Sequence, residues 1–415
     1  MQSWPSPEVP VLPDTPGLTP GVRAYSTSAQ RIVPIGPTAG TAGLYVCGIT
    51  PYDATHLGHA FTYLTFDLLN RTWRDAGLGV RYVQNVTDVD DPLLERAAQT
   101  GRDWRDLAAG QIERYRSDMT ALRVLAPDHY VAATEALDDV ISLIGRLRSD
   151  GQVYRIADAD YPDWYVRITQ APHFGEESHL GHADMLTQFA EHGGDPQRPG
   201  KQDPLDALVW RMARPDEPSW PSELGQGRPG WHVECTAIAL RYLGSSFAVQ
   251  GGGSDLAFPH HEMCAAQAWL ATGRPFANAY LHTGMVGLGG EKMSKSQGNL
   301  ELVSNLMFHH ADPMAIRLAL LAHHYRLDWE WTSDQLDQAQ RRLDAWRAAI
   351  RLPAGPDASG LLARVRTALR EDLNAPAALA AMDEWTAAAL SGDGANPGAP
   401  GLVAALADAL LGVRL

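Results

Sequence analysis

Short apolar runs alternate with amphipathic stretches through the first three-quarters of the chain, and helical spacing governs the remainder. Leu44-Tyr45-Val46-Cys47 is a continuous apolar run of the kind a strand buried on both faces requires. Gly48-Ile49-Thr50-Pro51 then predicts a turn, and His56-Leu57-Gly58-His59 opens an amphipathic helix that runs through Trp73. Val80-Arg81-Tyr82-Val83-Gln84-Asn85-Val86 predicts the next strand, so residues 43–92 make a first βαβ unit. Before it, Val22-Arg23-Ala24-Tyr25 and Arg31-Ile32-Val33 predict a small hairpin, preceded by a proline-rich arm. Residues 93–150 read as largely helical, with Leu107, Ile112, Tyr115, Met119 and Leu122 at helical spacing. Short strands follow at Val153–Ile156 and Trp164–Ile168, then a loop region rich in His, Gly, Asp and Glu. Strand–helix alternation returns over 205–290. From 310 onward the pattern is helical: Met314–Leu321, then 333–351, 359–373 and 375–390, with breaks at Ala354-Gly355-Pro356-Asp357 and over 392–398. The class is α/β, with no internal repeat.

With 415 residues, 45% hydrophobic and 20% charged, the chain can bury a full core in two or three domains. No apolar run approaches the roughly 18 residues of a membrane span. The amino-terminal arm lacks the basic start of a signal peptide. Three cysteines fit a reducing cytoplasm better than a disulfide framework, and a monomer is expected. Lys and Arg total 34 against 49 Asp and Glu, a net charge of −15. That balance weighs against a large nucleic-acid footprint, which needs a basic face.

Chemistry concentrates in two places. Lys292-Met293-Ser294-Lys295-Ser296 puts two cations and two hydroxyls in a glycine-flanked loop, which suits the phosphates of a nucleotide. Taken alone, the spacing fits an exposed basic loop equally well. Upstream, strand, tight turn and the His56–His59 helix start form the arrangement at which α/β folds bind phosphate, because free N–H groups and the helix dipole favour an anion there. Asp88, Asp90 and Asp91 end the second strand. Helix capping before Pro92 is the reading for Asp91, while Asn85 and Thr87 at the strand terminus are the better site candidates.

Together the two motifs resemble the HIGH and KMSKS signatures of class I aminoacyl-tRNA synthetases. The resemblance implies a Rossmann-like nucleotide-binding domain with an inserted subdomain and a C-terminal helical bundle. On that reading the organisation is: 1–42 arm and hairpin; 43–130 first half of the Rossmann-like domain; 131–204 inserted connective subdomain; 205–290 second half; 291–335 lysine loop and linking region; 336–415 helical domain. It also implies ATP with Mg²⁺ and activation of a carboxylate as an acyl-adenylate. His56, His59, Lys292 and Lys295 are then the catalytic residues, the histidines toward phosphate and ribose and the lysines toward the leaving phosphates. Gly48, Ile49, Thr50, Thr62, Asn85, Val86, Thr87, Trp231, Gly253, Ser254, Asp255 and Val286 line the substrate and adenylate pocket. Packing at a helix start for the histidines, a core role for Trp231 and a turn role for Asp255 stay open.

Cys47, the Cys235 of Gly230-Trp231-His232-Val233-Glu234-Cys235, and His260 after Phe258-Pro259 lack close Cys-x-x-Cys spacing. Spacing alone favours inert buried cysteines. The residues around them, however, resemble cysteinyl-tRNA synthetase very closely. That resemblance implies one Zn²⁺ on Cys47, Cys235 and His260, with Cys47 also lining the substrate site, and an open position for the thiol of substrate cysteine. Where the synthetase has a glutamate near the metal, this chain has Cys264; three protein ligands is the preferred reading and a fourth the alternative.

Further departures point to a small acceptor. Gly48–Thr55 replaces a Gly-Pro-Thr segment, Glu191-His192-Gly193-Gly194-Asp195-Pro196 and Pro204–Trp210 differ from the synthetase's versions, and the carboxyl-terminal region is short. These features resemble the cysteine:glucosaminyl-inositol ligase family of mycothiol biosynthesis. L-cysteine, ATP and glucosaminyl-inositol are the partners that resemblance implies, with neither nucleic acid nor membrane, and cysteinyl-tRNA synthetase is the alternative.

Overall fold

The computed structural model describes residues 1–18, 21–52, 55–292 and 300–415. An extended arm leads into a hairpin of β1 (Val22–Ser26) and β2 (Arg31–Ile35). The predicted βαβ unit follows as β3 (Thr41–Val46), α1 (Leu57–Asp75) and β4 (Gly79–Val86). Next come α2 (Asp91–Thr100), α3 (Trp104–Ala121) and β5 (His129–Ala132). The middle of the chain holds α4 (Leu137–Ser149), β6 (Val153–Arg155), β7 (Trp164–Val166), α5 (His182–Glu191), β8 (Ala207–Met212) and β9 (Gly227–Pro229). Then α6 (Trp231–Leu243), β10 (Phe247–Gly253), α7 (Glu262–Thr272), β11 (Ala277–Thr283), β12 (Val286–Leu288) and β13 (Glu291–Lys292) lead to α8 (Val303–Phe308), α9 (Pro313–Leu321) and β14 (Trp329–Glu330). The helices α10 (Ser333–Ile350), α11 (Ser359–Arg370), α12 (Ala375–Leu390) and α13 (Ala399–Leu411) complete the chain.

The central sheet has the order β11-β10-β3-β4-β5, every pair parallel. From β3 the chain crosses through α1 to β4 on one side, while β10 lies on the other. The order therefore reverses beside β3, and the crevice at the carboxyl ends of β3 and β10 is where such sheets bind ligands. Apolar β3 is buried on both faces, as its run of Leu44, Tyr45 and Val46 demands.

Three expectations are corrected. Residues 93–150 hold a strand, β5, because four residues pairing in register with Val83–Val86 (His129 to Val83, Ala132 to Val86) carry too little periodicity to stand out beside long helices. The boundary at 204 fails: β8 and β9 join β6 and β7 in a separate four-stranded antiparallel sheet, so the insertion's sheet runs on to Pro229. The cap of α2 is Asp90, whose carboxylate accepts from the Asp91 amide at 2.8 Å, and not Asp91. Asp91 lies inside the first turn and pairs with Arg228.

One buried ionic unit fastens the carboxyl-terminal helices to the sheet domain. Asp67 on α1 accepts from Arg71 at 2.8 Å, from Arg317 on α9, and from the Leu125 amide at 2.8 Å. The two guanidiniums use their other N–H groups on main-chain carbonyls: Arg71 on Asp408 and Arg123, Arg317 on Leu411 and Leu122. All three side chains are fully buried. Among the described residues no helix is long and apolar enough to cross a membrane.

Burial alone would push the Asp67 carboxyl up, but Arg71 and Arg317 overcome that and hold it below the usual carboxylate range. The contribution to stability is then complete above the unfolded value of about 3.9 and is lost as pH falls through the lower folded value. Asp67→Ala, which strands two buried cations, is expected to cost about 3–5 kcal/mol in urea denaturation at neutral pH. The difference from the unsubstituted protein should shrink when the measurement is repeated below about pH 4.

Candidate active site and metal centre

The carboxyl end of β3 is tied on both sides. The Cys47 amide donates to the Gly251 carbonyl of β10 at 3.1 Å, and the Gly48 amide donates to Asn85 Oδ1 at the end of β4 at 2.8 Å. Asn85 Oδ1 also accepts from the Tyr45 hydroxyl at 3.1 Å, and its amide group donates to Thr87 Oγ1 at 3.2 Å. The Thr87 amide returns to the Ile49 carbonyl at 3.1 Å. A Cβ on Gly48 would lie 1.6 Å from the Asn85 carbonyl oxygen, so only glycine permits this crossing. The candidates Cys47, Gly48, Ile49, Asn85, Val86 and Thr87 are thereby brought to one edge, with Thr50 just beyond.

His56 caps α1. Its Nδ1 accepts from the amides of Gly58 at 3.1 Å and His59 at 3.4 Å. This corrects the expectation of free N–H groups there: two first-turn donors are already taken by the ring. The His56 and His59 rings lie 3.8 Å apart between centroids. One turn on, Thr62 shares a 2.8 Å hydroxyl contact with Thr283 at the end of β11. Gly253 ends β10 and Ser254 and Asp255 form the turn after it, while Val286 opens β12 of a separate three-stranded sheet, soon after β11.

Among the described residues, the chain just before the lysine motif is a strand and the chain just after it meets this helix start. β13 pairs with β12 by Gly287–Lys292 and Leu288–Glu291, and β12 pairs with β14. Lys295 lies outside the described residues, and Lys292 is placed here by its main chain. Where description resumes, the Leu57 amide donates to the Glu301 carbonyl at 2.9 Å and the Val303 amide to the Thr55 carbonyl at 3.2 Å. Residues 301–303, just beyond the lysine motif, thus meet the chain at the start of α1.

Behind the crevice, donor atoms of Cys47, Cys235 and His260 all lie within 4.8 Å of one another, and all three residues are buried. Among the described residues this is the only such group of three or more. Cys235 comes from the second turn of α6 and His260 from the turn before α7. Cys264 lies 4.0 Å from His260 Nε2 but outside the trio, and its thiol donates to the His232 carbonyl at 3.4 Å. Trp231 stacks on His260 at 4.3 Å and 22°, and His232 Nδ1 holds His260 Nδ1 at 3.0 Å.

Burial pushes the Cys47 thiol up, with Cys235 adding to it. At Cys235 burial acts the same way, but the hydrogen bond from Cys47 and the charge of His260 overcome it and hold the thiol well below its usual range. Burial would lower His260, yet the nearby sulfurs of Cys264 and Cys235 raise it to about 10. Two sulfurs and an imidazole, packed this closely and shielded from water, are a donor set that suits zinc.

Some neighbours escaped the sequence reading. Glu234, buried and with Oε2 lacking a hydrogen-bond partner, faces Asp90 and Asp88 across the end of β4. Burial raises all three carboxyls, Asp90 to about 6. Its position beside Cys235 was the available signal. The Glu191–Pro196 loop is a turn: Gly194 packs on the Phe189 ring, and the Asp195 carboxylate is engaged by Tyr165 and by Lys201 at 2.9 Å.

Comparison with known proteins agrees with this geometry. The family model described as tRNA synthetases class I (C) catalytic domain matches residues 36–341. Proteins named L-cysteine:1D-myo-inositol 2-amino-2-deoxy-alpha-D-glucopyranoside ligase match over the full chain: 60% identical in Thermomonospora curvata, all of both chains covered, and 57% in Mycobacterium sp. strain KMS, with 99% of that relative covered. Among solved structures, Mycobacterium tuberculosis methionyl-tRNA synthetase bound by methionyl-adenylate superposes with a TM-score of 0.63 at 14% identity, covering 90% of this chain and 92% of that one. An Agrobacterium radiobacter LeuRS in a ternary complex reaches a TM-score of 0.65 at 13% identity, covering 90% of this chain and 84% of that one. These two share the fold. A synthetase-type parallel sheet, a paired histidine helix start and full-length identity of 57–60% to the ligases place the chain in the class I synthetase-like family of L-cysteine:1D-myo-inositol 2-amino-2-deoxy-alpha-D-glucopyranoside ligases.

Proposed function

We propose that this protein activates L-cysteine with ATP as cysteinyl-adenylate and joins it by an amide bond to the amine of glucosaminyl-inositol, releasing pyrophosphate and AMP. The observation that carries the reading is the buried Cys47–Cys235–His260 trio at the carboxyl edge of a synthetase-type sheet. The names of the full-length relatives support the acceptor.

Zinc on the trio would supply a soft Lewis acid that takes a thiol sulfur and discriminates against the oxygen of serine. The chain's own residues then position the rest. Trp231, stacked on His260, walls the substrate side. The Asn85-centred bonds hold the β3 and β4 termini at fixed separation, so the cysteine carboxylate can meet the α-phosphate in line. His56, with Nδ1 committed to the helix cap, would address phosphate through Nε2. Lys292 and Lys295, with Mg²⁺, are assigned to the leaving phosphates. In the second half-reaction the neutral amine attacks the acyl carbonyl, the amide forms and AMP departs. A net charge of −15 suits a small cationic amino-sugar acceptor better than a tRNA. A cytoplasmic monomer completes the reading.

Two measurements check it. Protein given cysteine, ATP and Mg²⁺ with both glucosaminyl-inositol and cysteine tRNA should yield, by mass spectrometry, the amide of the sugar and leave the tRNA uncharged. Charged tRNA with the sugar untouched would establish a cysteinyl-tRNA synthetase instead. Replacing Lys292 and Lys295 together with Ala should lower cysteine-dependent pyrophosphate exchange by at least 10²- to 10³-fold, the scale for lost transition-state charge stabilisation. Cysteine binding by calorimetry should persist in that variant; unchanged exchange would remove the lysines from the mechanism.

A further inference from the structure

Arginines gather where the end of α3, the start of α9, the end of α10 and the segment after α13 meet. A cavity of about 520 Å³ in this seam is lined by Arg123, Arg347, Arg351 and Arg414, with Pro313, Met314 and Ile350 among its apolar residues. The chain as a whole carries 49 acidic and 34 basic side chains, so four guanidiniums around one cavity run against its general balance. Two of the four are neutralised: Arg347 pairs with Asp312 at 2.7 Å and Arg123 with Asp408 at 2.6 Å. Arg351 and Arg414 are exposed and make no ion pair among the described residues. A terminal carboxylate on Leu415, which also lines the cavity, would still leave the local balance positive.

Helix dipoles account for part of this. Arg347 lies in the last turn of α10 and Arg351 just after it, where cations are favoured. They do not account for Arg123. Its backbone takes φ +57°, in the left-handed region that residues with a side chain rarely adopt. The conformation is held from both sides: the Arg123 amide donates to the Thr120 carbonyl at 3.0 Å, and the Arg123 carbonyl accepts from Arg71 at 2.8 Å. Its Nε is buried without a hydrogen-bond partner among the described residues. A buried N–H with no acceptor is costly unless something supplies one. Asp312 cannot serve further, because one of its oxygens accepts from the Met314 amide at 2.9 Å and the other from Arg347.

We propose that this seam binds the phosphate group of a small anion, either free phosphate or a phosphate monoester. Arg351 and Arg414 supply the uncompensated charge, and Arg123 and Arg347 the fixed frame. Planar guanidiniums present paired N–H donors that match phosphate oxygens two at a time, and such bonds are about twice as strong as neutral ones. The cavity falls in the size range of small-molecule sites, and Met314 and Ile350 offer an apolar surface to the body of an ester. The site lies outside the ligase chemistry proposed above and does not depend on it. It borders the Asp67 unit, since the Arg123 and Leu122 carbonyls accept from Arg71 and Arg317. An occupied site therefore braces the join between the sheet domain and the carboxyl-terminal helices.

The test is calorimetric titration of the full-length protein with inorganic phosphate and with glucose 6-phosphate at fixed ionic strength. It is run in a Lys292→Ala, Lys295→Ala background, which removes the lysines assigned to nucleotide phosphates. Saturable binding of phosphate alone would assign the site to the free anion, and tighter binding of the ester would assign it to a monoester. Replacing Arg351 and Arg414 together with Ala should weaken that binding about 10-fold or more. Both side chains are exposed, so the urea midpoint without phosphate should stay where it was. Arg351→Lys, which keeps the charge and loses the planar fork, should bind a few-fold more weakly, and it decides if the double variant fails to fold. Saturating phosphate should raise the urea midpoint of the background protein more than that of the arginine variant. No saturable heat with either probe, or binding unchanged in folded arginine variants, would overturn the inference and leave the ligase reading untouched.

Discussion

The site depends on how the end of β3 is held. Its last residues are hydrogen-bonded to β10 through the Cys47 amide and to Asn85 on β4 through the Gly48 amide. Those two bonds determine where the Cys47 sulfur stands, where the following turn goes and where α1 can begin. The trio then forms because α6 and the turn before α7 deliver Cys235 and His260 to the same face of the sheet. The close contact at Gly48 leaves the arrangement little freedom, since any side chain there meets main-chain atoms of Asn85.

Around this edge the structure divides its labour by polarity. On the trio's side, thiols and histidines share a dry pocket. Across the end of β4, Asp88, Asp90 and Glu234 form an acidic wall. The carboxyl-terminal helices take no part in either; α9 and α13 are bound to α1 by the Asp67 unit, which stiffens the helix that begins at His56. A zwitterionic amino acid, with sulfur, ammonium and carboxylate pointing three ways, suits so uneven a surface.

Much of this was legible in the chain. The run Leu44–Cys47, the turn after it and the amphipathic stretch to Trp73 announce strand, turn and helix because each depends on local periodicity. What stayed hidden depends on pairing between distant segments. β5 is four residues long and shows itself only by its register with β4. The insertion's sheet draws β8 and β9 across the expected boundary, since strand partners are chosen by the whole surface they cover. The ligand trio likewise has no spacing signature, as its members come from three segments; resemblance to a family brought them together where spacing favoured inert cysteines.

The central claim is that a metal held by Cys47, Cys235 and His260 selects the substrate by its sulfur. X-ray absorption at the zinc edge of the purified protein, with and without L-cysteine, tests it most directly. The account predicts a first shell of two sulfurs and one nitrogen, with a lighter scatterer in the remaining place, that gains a third sulfur when cysteine is added and does not change with serine. A shell indifferent to cysteine, or one already filled by three protein sulfurs through Cys264, would contradict it.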